Sequence, residues 1–450
     1  MASAKDTQPT ETDENASSVP DLAPMLRLLH PPPQDGHPQT FVLSNTGLYI
    51  GRDSADAEHE RISLIGDNRA SRRHAHITVK NGTVHVEDLD SKNGTYLNGK
   101  RIKAARMADG DVLRIGDSLL LLRYESESLL AVPEVPFLVD STAMRKIVRR
   151  LETLGPREDT VLLLGESGVG KEVMARALHR FSGRPAADFL ALNCATIPSE
   201  LAESHLFGHV AGAFSGARAA QEGYLRAAGQ GTIFLDEIGE LVPALQPKLL
   251  RALEERMVTP VGSTRALPVK ARIIAATNVD LRRAIQIGCF RGDLYARLSS
   301  VVIDIPPLRT RREEILPLFR RALRPPRPLS ARLAEAMLLY AWPLNVRELL
   351  QLAAELNANH ADKARLDLPH AKERLHLSFA ESLAPPSATE KEAPAPSEVA
   401  ELGLPRETLQ RLLNDHRGII SRVAAAVHRS PRQVRRWMTH YGLRKKDYQD

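Results

Sequence analysis

The sequence predicts a multidomain fold: an N-terminal β-sandwich, a central α/β domain with a helical lid, and a C-terminal all-α domain. Residues 25–125 show short strand-like stretches separated by turn residues, which is typical of a sandwich. Residues 140–308 alternate near-continuous apolar runs with amphipathic helical segments, as parallel strands covered on both faces do. Residues 309–372 and the stretch 401–450 follow a helical period instead.

Length and composition limit the classes of protein. A chain of 450 residues exceeds one ordinary core, so two to four domains are expected. Two cysteines, Cys194 and Cys289, are too few for a disulfide framework and favour a reducing compartment. The first residues lack the basic start and apolar run of a signal peptide, and no stretch approaches a membrane span. We therefore expect a cytoplasmic protein without a membrane segment.

The segments between the domains are recognised by their composition. Residues 1–24 are polar and acidic, which predicts a disordered tail. Residues 126–139 contain PEVPF, and residues 373–400 contain a stretch rich in Pro, Ala and charge (382–398), so both predict linkers. Within the first domain, Asn81 and Gly82 predict a tight hairpin turn in which both residues have positive φ.

Positive charge is concentrated at the C-terminal end. Residues 401–450 contain 11 Lys and Arg against 5 Asp and Glu, an excess of +6 that equals the net charge of the whole chain. Such an uneven distribution indicates a nucleic-acid-binding segment, although a solvated basic tail would have the same composition.

The segment GESGVGK fits the phosphate-binding pattern GxxxxGK and lies between a buried strand and an amphipathic helix. Its glycines let backbone N–H groups point at phosphate oxygens, and the helix N-terminus adds favourable partial charge. Lys171 is predicted to reach the β- and γ-phosphates of ATP, and Glu172 stands where Ser or Thr is usual. The predicted nucleotide contacts in this segment are Gly165, Glu166, Ser167, Gly168, Val169, Gly170, Lys171 and Glu172.

An acidic pair follows another buried run, GTIFLDE. The end of such a strand is the edge of an α/β sheet that binds ligands. Asp236 is predicted to hold Mg²⁺, and Glu237 to orient and polarise the attacking water. Asn278 ends a further apolar strand and is predicted to bond the γ-phosphate or water. Arg291 and Arg297 are candidates for neutralising transition-state charge.

With these residues, the region 140–372 resembles the AAA+ domain of sigma-54-dependent activators. The marker is ESHLFGHVAGAFSGA (203–217), which is similar to the family's ESELFGHxxGAFTGA, with Ser215 in place of Thr. The resemblance implies a loop that touches sigma-54 when ATP is hydrolysed, and an exposed Phe214 is a suitable apolar anchor. The loop residues are Gly212, Ala213, Phe214, Ser215, Gly216 and Ala217.

The same resemblance implies further roles. Asn193 would be the switch residue that holds the catalytic Glu, and Arg291 and Arg297 would be arginine fingers that act on a neighbouring subunit. WPLNVREL resembles the second sensor and implies that Arg347 lies near the nucleotide, with Leu344 in place of Gly. Arginine fingers imply a homo-oligomer, from a dimer up to a hexamer.

The motifs IGR, SRRHA and SKNGTYLNG in the first domain resemble those of a forkhead-associated (FHA) domain. The resemblance implies binding of phosphothreonine through Arg52, Ser71, Arg72 and Asn93. His74 matches a position that braces the loops. The implied partner is a phosphothreonine-containing protein or a Ser/Thr kinase, and the chain would act in phosphorylation-dependent signalling.

Residues 405–446 resemble a Fis-type helix-turn-helix DNA-binding domain with three short helices. The resemblance implies a dimer that binds upstream DNA through a recognition helix. The predicted DNA contacts are Arg432, Gln433, Arg435 and Arg436.

The function predicted from these motifs is a transcription activator whose ATP hydrolysis remodels the closed complex of sigma-54 RNA polymerase. The alternative is an FHA/helix-turn-helix adaptor whose AAA+ domain is a nucleotide-gated scaffold without remodelling. A third possibility, an AAA+ machine acting on other proteins or on DNA strands, is disfavoured by the GAFSGA segment. Replacing Glu237 with Gln discriminates the first two.

Overall fold

The computed structural model describes residues 22–32, 39–52, 61–125, 141–185, 188–382 and 406–416, with Ile419, Ile420, Val423, Val434, Met438 and Leu443. Nearly all of the predicted acidic tail, the linker 126–139 and the linker residues from 383 onward lie outside this part. So do the predicted DNA contacts Arg432, Gln433, Arg435 and Arg436. The chain divides into two compact units, Met1–Val279 with Asp293–Ala384, and Asp280–Gly292 with Pro385–Asp450.

The N-terminal domain consists of two facing sheets. Its strands are β1 (Ala23–His30), β2 (Thr40–Val42), β3 (Leu48–Gly51), β4 (Arg61–Ser63), β5 (Ala75–Lys80), β6 (Thr83–Asp88), β7 (Thr95–Leu97), β8 (Lys100–Ile102), β9 (Ala104–Met107), β10 (Val112–Ile115) and β11 (Ser118–Glu125). The first sheet has the order β2-β1-β11-β10-β7-β8, and the second has the order β4-β3-β5-β6-β9. This arrangement confirms the predicted β-sandwich.

The hairpin of β5 and β6 shows why the sandwich forms. Ile77 faces Val86 and Val79 faces Val84 across the pair, and these residues belong to the core between the two sheets. Alternate residues face outward, so period-2 patterning buries one face. At the turn, Asn81 has φ 50° and Gly82 has φ 71°, which confirms the predicted pair of positive φ angles.

The central domain contains one parallel five-stranded sheet and two small hairpins. Its strands are β12 (Val161–Leu164), β13 (Phe189–Asn193), β14 (Gly208–His209), β15 (Gln221–Glu222), β16 (Thr232–Asp236), β17 (Met257–Val258), β18 (Leu267–Pro268), β19 (Arg272–Thr277) and β20 (Val301–Asp304). The parallel sheet has the order β13-β16-β19-β12-β20. The four predicted apolar runs form four of its strands. The edge strand β20 was not predicted, because its apolar run is short and is soon followed by two prolines.

Helices of the central domain lie between these strands, and the lid follows β20. The helices up to the lid are α1 (Thr142–Leu154), α2 (Lys171–Phe181), α3 (Ser199–Phe207), α4 (Tyr224–Ala227), α5 (Gln246–Glu255), α6 (Leu281–Gln286) and α7 (Gly292–Leu298). The lid helices are α8 (Ile315–Ala322), α9 (Ala331–Leu339), α10 (Asn345–Asn359) and α11 (Leu368–Ser382). Two short 3-10 turns, Leu308–Thr310 and Arg312–Glu314, connect β20 to α8.

The helix α11 corrects one predicted boundary. The lid was expected to end at residue 372 and a linker to occupy 373–400, but α11 continues to Ser382. Ala371 and Leu375 lie one turn apart on this helix and are both buried in the lid core. The burial of Leu375 explains why the helix continues past residue 372, and α11 ends at Ser382, before the prolines at 385 and 386.

The second compact unit contains α6 and α12 (Arg406–Asp415). In its C-terminal part, Leu409 and Leu413 of α12 form a small apolar cluster with Val423, Val434 and Met438. The last three residues are in helical conformation, and the rest of the predicted second and third helices lies largely outside the described residues. Among the described helices, none is long and apolar enough to cross a membrane.

Candidate nucleotide-binding site

The loop between β12 and α2 has the geometry of an anion site. Gly170 caps α2 in a left-handed conformation, with φ 106°, and α2 has no side-chain cap. The first N–H groups of α2 are therefore available to a phosphate. Gly168 also has positive φ, and a Cβ there would lie 2.2 Å from the carbonyl oxygen of Leu344. Only glycine allows the loop to approach the lid this closely.

Lys171 occupies the start of α2 and is only 7% exposed. Its Nζ donates to the carbonyl oxygens of Gly165 (3.0 Å) and Glu166 (3.4 Å). The nearest carboxylate is that of Glu237, at 3.9 Å between Nζ and Oε1. Burial lowers the pKa of Lys171, and the carboxylates of Glu237 and Asp236 oppose that shift. The ammonium group is thus held between the glycine-rich loop and the acidic pair.

The acidic pair lies at the carboxyl end of β16, beside Lys171. The backbone N–H of Glu237 donates to Asp236 Oδ1 (3.0 Å), and that of Asn278 donates to Glu237 Oε2 (3.4 Å). Glu237 has φ 50°, a costly conformation for a residue other than glycine, and such strain is concentrated at functional sites. Burial raises the pKa of both Asp236 and Glu237.

The donor groups fit a divalent cation that also binds phosphate oxygens. Mg²⁺ is usually bound through one or two carboxylates together with substrate phosphates. Asp236 offers a half-buried carboxylate at the correct edge of the sheet. The carboxylate of Glu172, at the start of α2, pairs with Arg176 one turn along the helix (2.7 Å). Within the described residues, no cluster of three His, Cys, Asp or Glu side chains forms a metal cage.

The lid contacts the glycine-rich loop through the start of α10. Arg347 Nη1 donates to Ser167 Oγ (2.9 Å), so this predicted sensor lies at the loop. Leu344, which replaces the family's Gly, has φ −105° and needs no left-handed conformation. The positive φ angles of the turn occur at Trp342 and Asn345 instead. The substitution at 344 is therefore compatible with the turn.

The other predicted catalytic residues occupy different positions. Asn193 Oδ1 accepts from the backbone N–H of Ala195 (2.9 Å), while Glu237 is held by the Asn278 backbone. Arg297, exposed in the last turn of α7, donates to the carbonyl oxygen of Leu253 (3.3 Å). Arg291 is also exposed, immediately before α7. The switch role of Asn193 and the trans-acting role of the two arginines remain predictions.

The GAFSGA loop lies on the surface, in the connection between β14 and β15. Gly212 and Gly216 have φ 82° and 109°, and the Gly212 N–H donates to the carbonyl oxygen of Ala217 (2.7 Å). The Phe214 side chain is 40% exposed, and its ring lies 5.1 Å from that of His209 between centroids. The hydrogen bond from Gly212 closes the loop at Ala217, which is buried, whereas Phe214 is exposed to solvent.

At the FHA loops, the four predicted phosphothreonine ligands lie on three neighbouring segments. The backbone N–H of Arg52 donates to the carbonyl oxygen of Ser71 (3.0 Å). Ser71 Oγ accepts from the backbone N–H of Lys92, the residue before Asn93 (3.1 Å). The Arg72 and Asn93 side chains are exposed. These contacts bring the three loops together at one end of the sandwich.

His74 braces these loops, as the sequence predicted. Its ring is fully buried; Nδ1 accepts from the Ser71 backbone N–H (3.0 Å), and Nε2 donates to the carbonyl oxygen of Gly94 (3.3 Å). Burial lowers the pKa of His74, which favours this neutral form with one donor and one acceptor.

Sequence reasoning missed two arginines that hold the glycine-rich loop. Arg309 forms a bidentate ion pair with Glu166 (2.6 and 2.8 Å), and Arg311 Nη2 donates to the carbonyl oxygen of Val169 (2.7 Å). Glu166 is therefore a contact to the lid as well as a member of the loop. The sequence signal for these contacts was the dense run of charged residues in RTRREE (309–314), which lies between the apolar residues Leu308 and Ile315.

The fold and this site define a P-loop α/β nucleotide-binding domain with a helical lid, preceded by a β-sandwich. Residues 137–304 match the family model described as the sigma-54 interaction domain, and residues 48–116 match the FHA domain. The chain therefore carries a sigma-54 interaction domain behind an FHA domain, and its relatives include sigma-54-dependent transcriptional regulators. Sigma-54 interaction domains belong to the AAA+ ATPase family.

Several curated proteins resemble the chain. It is 43% identical over 247 residues to the transcriptional regulatory protein ZraR of Klebsiella oxytoca, covering 53% of this chain and 56% of that protein. It is 44% identical over 239 residues to the sigma54-dependent transcriptional activator SfnR of Pseudomonas putida, covering 49% of this chain and 65% of that protein. It is 44% identical over 295 residues to the C4-dicarboxylate transport transcriptional regulatory protein DctD of Pseudomonas aeruginosa, covering 61% of this chain and 63% of that protein. The chain thus spans less than two thirds of each relative.

Among solved structures, NtrX from Brucella abortus in complex with ADP is 28% identical, covers 70% of this chain and 71% of that one, and gives a TM-score of 0.48. The Fis-type resemblance of the C-terminal segment remains a prediction.

Proposed function

We propose that this chain is an ATP-hydrolysing transcription activator that remodels the closed complex of sigma-54 RNA polymerase. The observation that carries the proposal is the grouping of Lys171, Asp236 and Glu237 at one edge of a parallel sheet, beside an uncapped helix N-terminus. In the same domain, the exposed Phe214 offers an apolar contact for a partner. ATP hydrolysis would drive the loop that carries Phe214 against sigma-54.

The chemistry assigned to each residue follows from its position. Lys171 would bind the β- and γ-phosphates through an ammonium group already buried beside the loop. Asp236 would hold Mg²⁺, which supplies charge neutralisation at the phosphate oxygens. Glu237, with a pKa raised by burial, would orient and polarise the attacking water. Arg347 would sense the nucleotide from the lid, while Arg291 and Arg297 would complete the site of a neighbouring subunit in an oligomer.

Phe214→Ala is expected to abolish binding to sigma-54 in the presence of ADP and aluminium fluoride, while ATP hydrolysis stays within about twofold of the unchanged protein. Removing a central aromatic anchor typically costs about 2 kcal/mol or more of binding energy. Co-elution with purified sigma-54 measures binding, and phosphate release measures hydrolysis.

Leu201→Ala is the matched control for Phe214→Ala, because Leu201 on α3 is also a large apolar side chain, 41% exposed against 40% for Phe214. It is expected to leave sigma-54 binding unchanged. Retained binding by Phe214→Ala would exclude the proposed contact and favour an AAA+ machine that acts on other substrates.

We further propose that the FHA domain receives the signal as a phosphothreonine peptide and that the C-terminal segment binds upstream DNA. The convergence of the loops bearing Arg52, Ser71 and Asn93 supports the first part. The net charge of +6 in residues 401–450 supports the second. The two end modules would place the ATPase at a promoter and make its action depend on a kinase.

Arg52→Met is expected to weaken phosphothreonine-peptide binding by about 10- to 100-fold, because a hydrogen bond to a charged group contributes about 1.5–3 kcal/mol. Fluorescence anisotropy with a labelled phosphothreonine peptide measures the affinity. Arg106→Met is the control, because Arg106 is an exposed arginine on β9 of the same domain. Equal affinities for the two variants would show that Arg52 does not bind the phosphate.

A further inference from the structure

The outer face of the first FHA sheet is covered by the lid of the ATPase domain. Four apolar side chains of β1, β10 and β11 join one core cluster with lid residues that include Phe319 and Leu338. Helix α9 contacts both β10 and β11. We call this contact the FHA–lid seam; its sandwich residues are Leu29, Val112, Leu119 and Leu121. A shared apolar core resists the free domain motion that small polar interfaces allow.

Charged groups strengthen the same seam. Arg123 of β11 forms an ion pair with Glu313 (2.7 Å), and their side chains are only 13% and 3% exposed. Arg114 of β10 pairs with Glu335 of α9 (2.7 Å). Arg312 Nη1 donates to the carbonyl oxygen of Gly110 (2.6 Å). Separating the domains would break these ion pairs and this hydrogen bond, so the charged contacts exist only in the docked arrangement.

Two of these contacts come from the turn segment 308–314, which also holds the nucleotide loop. From the side facing that loop, Arg309 pairs with Glu166, and Arg311 donates to the carbonyl oxygen of Val169. From the side facing the sandwich, Arg312 and Glu313 engage the FHA domain. Consecutive residues of one short segment therefore contact the phosphate-binding loop and the FHA domain.

The segment is anchored at both ends, so it cannot adjust to one side alone. The Leu308 N–H donates to Asn345 Oδ1 (2.8 Å), and Asn345 Nδ2 donates to Glu166 Oε2 (3.1 Å) and to the Ser167 carbonyl oxygen (3.0 Å). At the other end, the buried carboxylate of Glu314 accepts from the backbone N–H of Ser141, the residue that caps α1 (3.3 Å). A displacement of the segment would thus change contacts of the glycine-rich loop directly.

We propose that docking of the FHA domain on the lid is coupled to nucleotide binding through segment 308–314. The docked sandwich, through Arg123 and Gly110, holds the segment where Arg309 and Arg311 keep the glycine-rich loop in its anion-binding shape. Release of the sandwich relaxes the loop and weakens nucleotide binding. Because coupling free energies are reciprocal, bound nucleotide also strengthens docking. The inference rests on the nucleotide binding proposed above and adds its regulation by the FHA domain.

The test measures docking and ADP affinity separately in the full-length chain. The combined change Arg123→Met and Arg312→Met removes two contacts between the sandwich and segment 308–314. Arg123→Met removes the ion pair with Glu313, and Arg312→Met removes the hydrogen bond to the carbonyl oxygen of Gly110. Hydrogen exchange of α9 reports docking, and calorimetric titration with ADP reports affinity. The combined variant is expected to exchange faster in α9 and to bind ADP about 5- to 30-fold more weakly, which lies within the range of ordinary allosteric coupling.

Two further variants make the result decisive. Arg309→Met cuts the contact to the loop but leaves the seam intact, so it is expected to weaken ADP binding without faster exchange in α9. Arg106→Met, on the sandwich strand β9, is expected to change neither quantity. Circular dichroism and the thermal midpoint without ADP verify that each variant is folded.

The proposal is overturned if the combined variant exchanges faster in α9 but binds ADP with unchanged affinity. It is overturned equally if α9 exchange is unchanged, because the two arginines would then not hold the sandwich. If the unchanged protein binds ADP but drives no sigma-54-dependent transcription, only the wider functional proposal fails. If it binds no ADP at all, both proposals fail.

Discussion

Glu237→Gln is expected to lower the rate of ATP hydrolysis by about 10²- to 10⁴-fold, the usual contribution of a positioned acid–base group. The amide keeps the size of the side chain and can still bond the Asn278 backbone through its oxygen. It cannot accept a proton from water, and it removes the negative charge beside Lys171. Nucleotide affinity should therefore persist or increase while turnover is lost, as measured by phosphate release and calorimetric titration.

Glu240→Gln is the matched control for this experiment. Glu240 is an exposed carboxylate three residues along the chain, in the turn that follows β16. It is expected to leave turnover unchanged. If Glu237→Gln reduces turnover no more than Glu240→Gln does, Glu237 is not the group that activates water. Persistence of promoter regulation in a Glu237→Gln variant that has lost turnover would favour the nucleotide-gated adaptor.

Lys171→Met is expected to weaken ATP binding by about 10- to 100-fold, because it removes a charged donor to the phosphates. Methionine is nearly as long and apolar, so the packing of the buried lysine stem is largely preserved. The ammonium is held largely out of water, and this burial lowers the pKa of Lys171. Phosphate oxygens would replace its present carbonyl partners.

Calorimetric titration with ATP and Mg²⁺ measures this loss. Lys270→Met, at an exposed lysine between β18 and β19, is the control and should bind as the unchanged protein does. Equal affinities for Lys171→Met and the unchanged protein would mean that the phosphates bind elsewhere, and the site assignment would then be wrong.

The local features of the site were predictable because each depends on residues that are contiguous in the sequence. The glycine-rich loop, the acidic pair after β16 and the Asn81–Gly82 turn depend on short-range backbone geometry, and the structure has the loop, strand and turn where the sequence indicated. His74 was also predicted as a brace, because the motif SRRHA resembles that of FHA domains, and its ring bonds to two of the neighbouring loops.

Contacts between distant segments were not predictable by the same reasoning. The pair of Arg309 and Glu166 joins residues 143 positions apart, and that of Arg123 and Glu313 joins residues 190 positions apart. Single-sequence patterns describe which residues are buried, but they do not identify the partner. One clue to the seam was present: SLLLL in β11 lacks the alternation of a sheet with one solvated face. Its continuous apolar run indicates burial on both faces.

The most direct test of the proposed function is promoter opening by the purified chain. With sigma-54 RNA polymerase, a promoter carrying an upstream binding site and hydrolysable ATP, the strands around the start site should become reactive to permanganate. Replacing ATP with a non-hydrolysable analogue, or Phe214 with Ala, should leave them closed. Closed promoters in the presence of a chain that demonstrably binds the DNA and hydrolyses ATP would contradict the account.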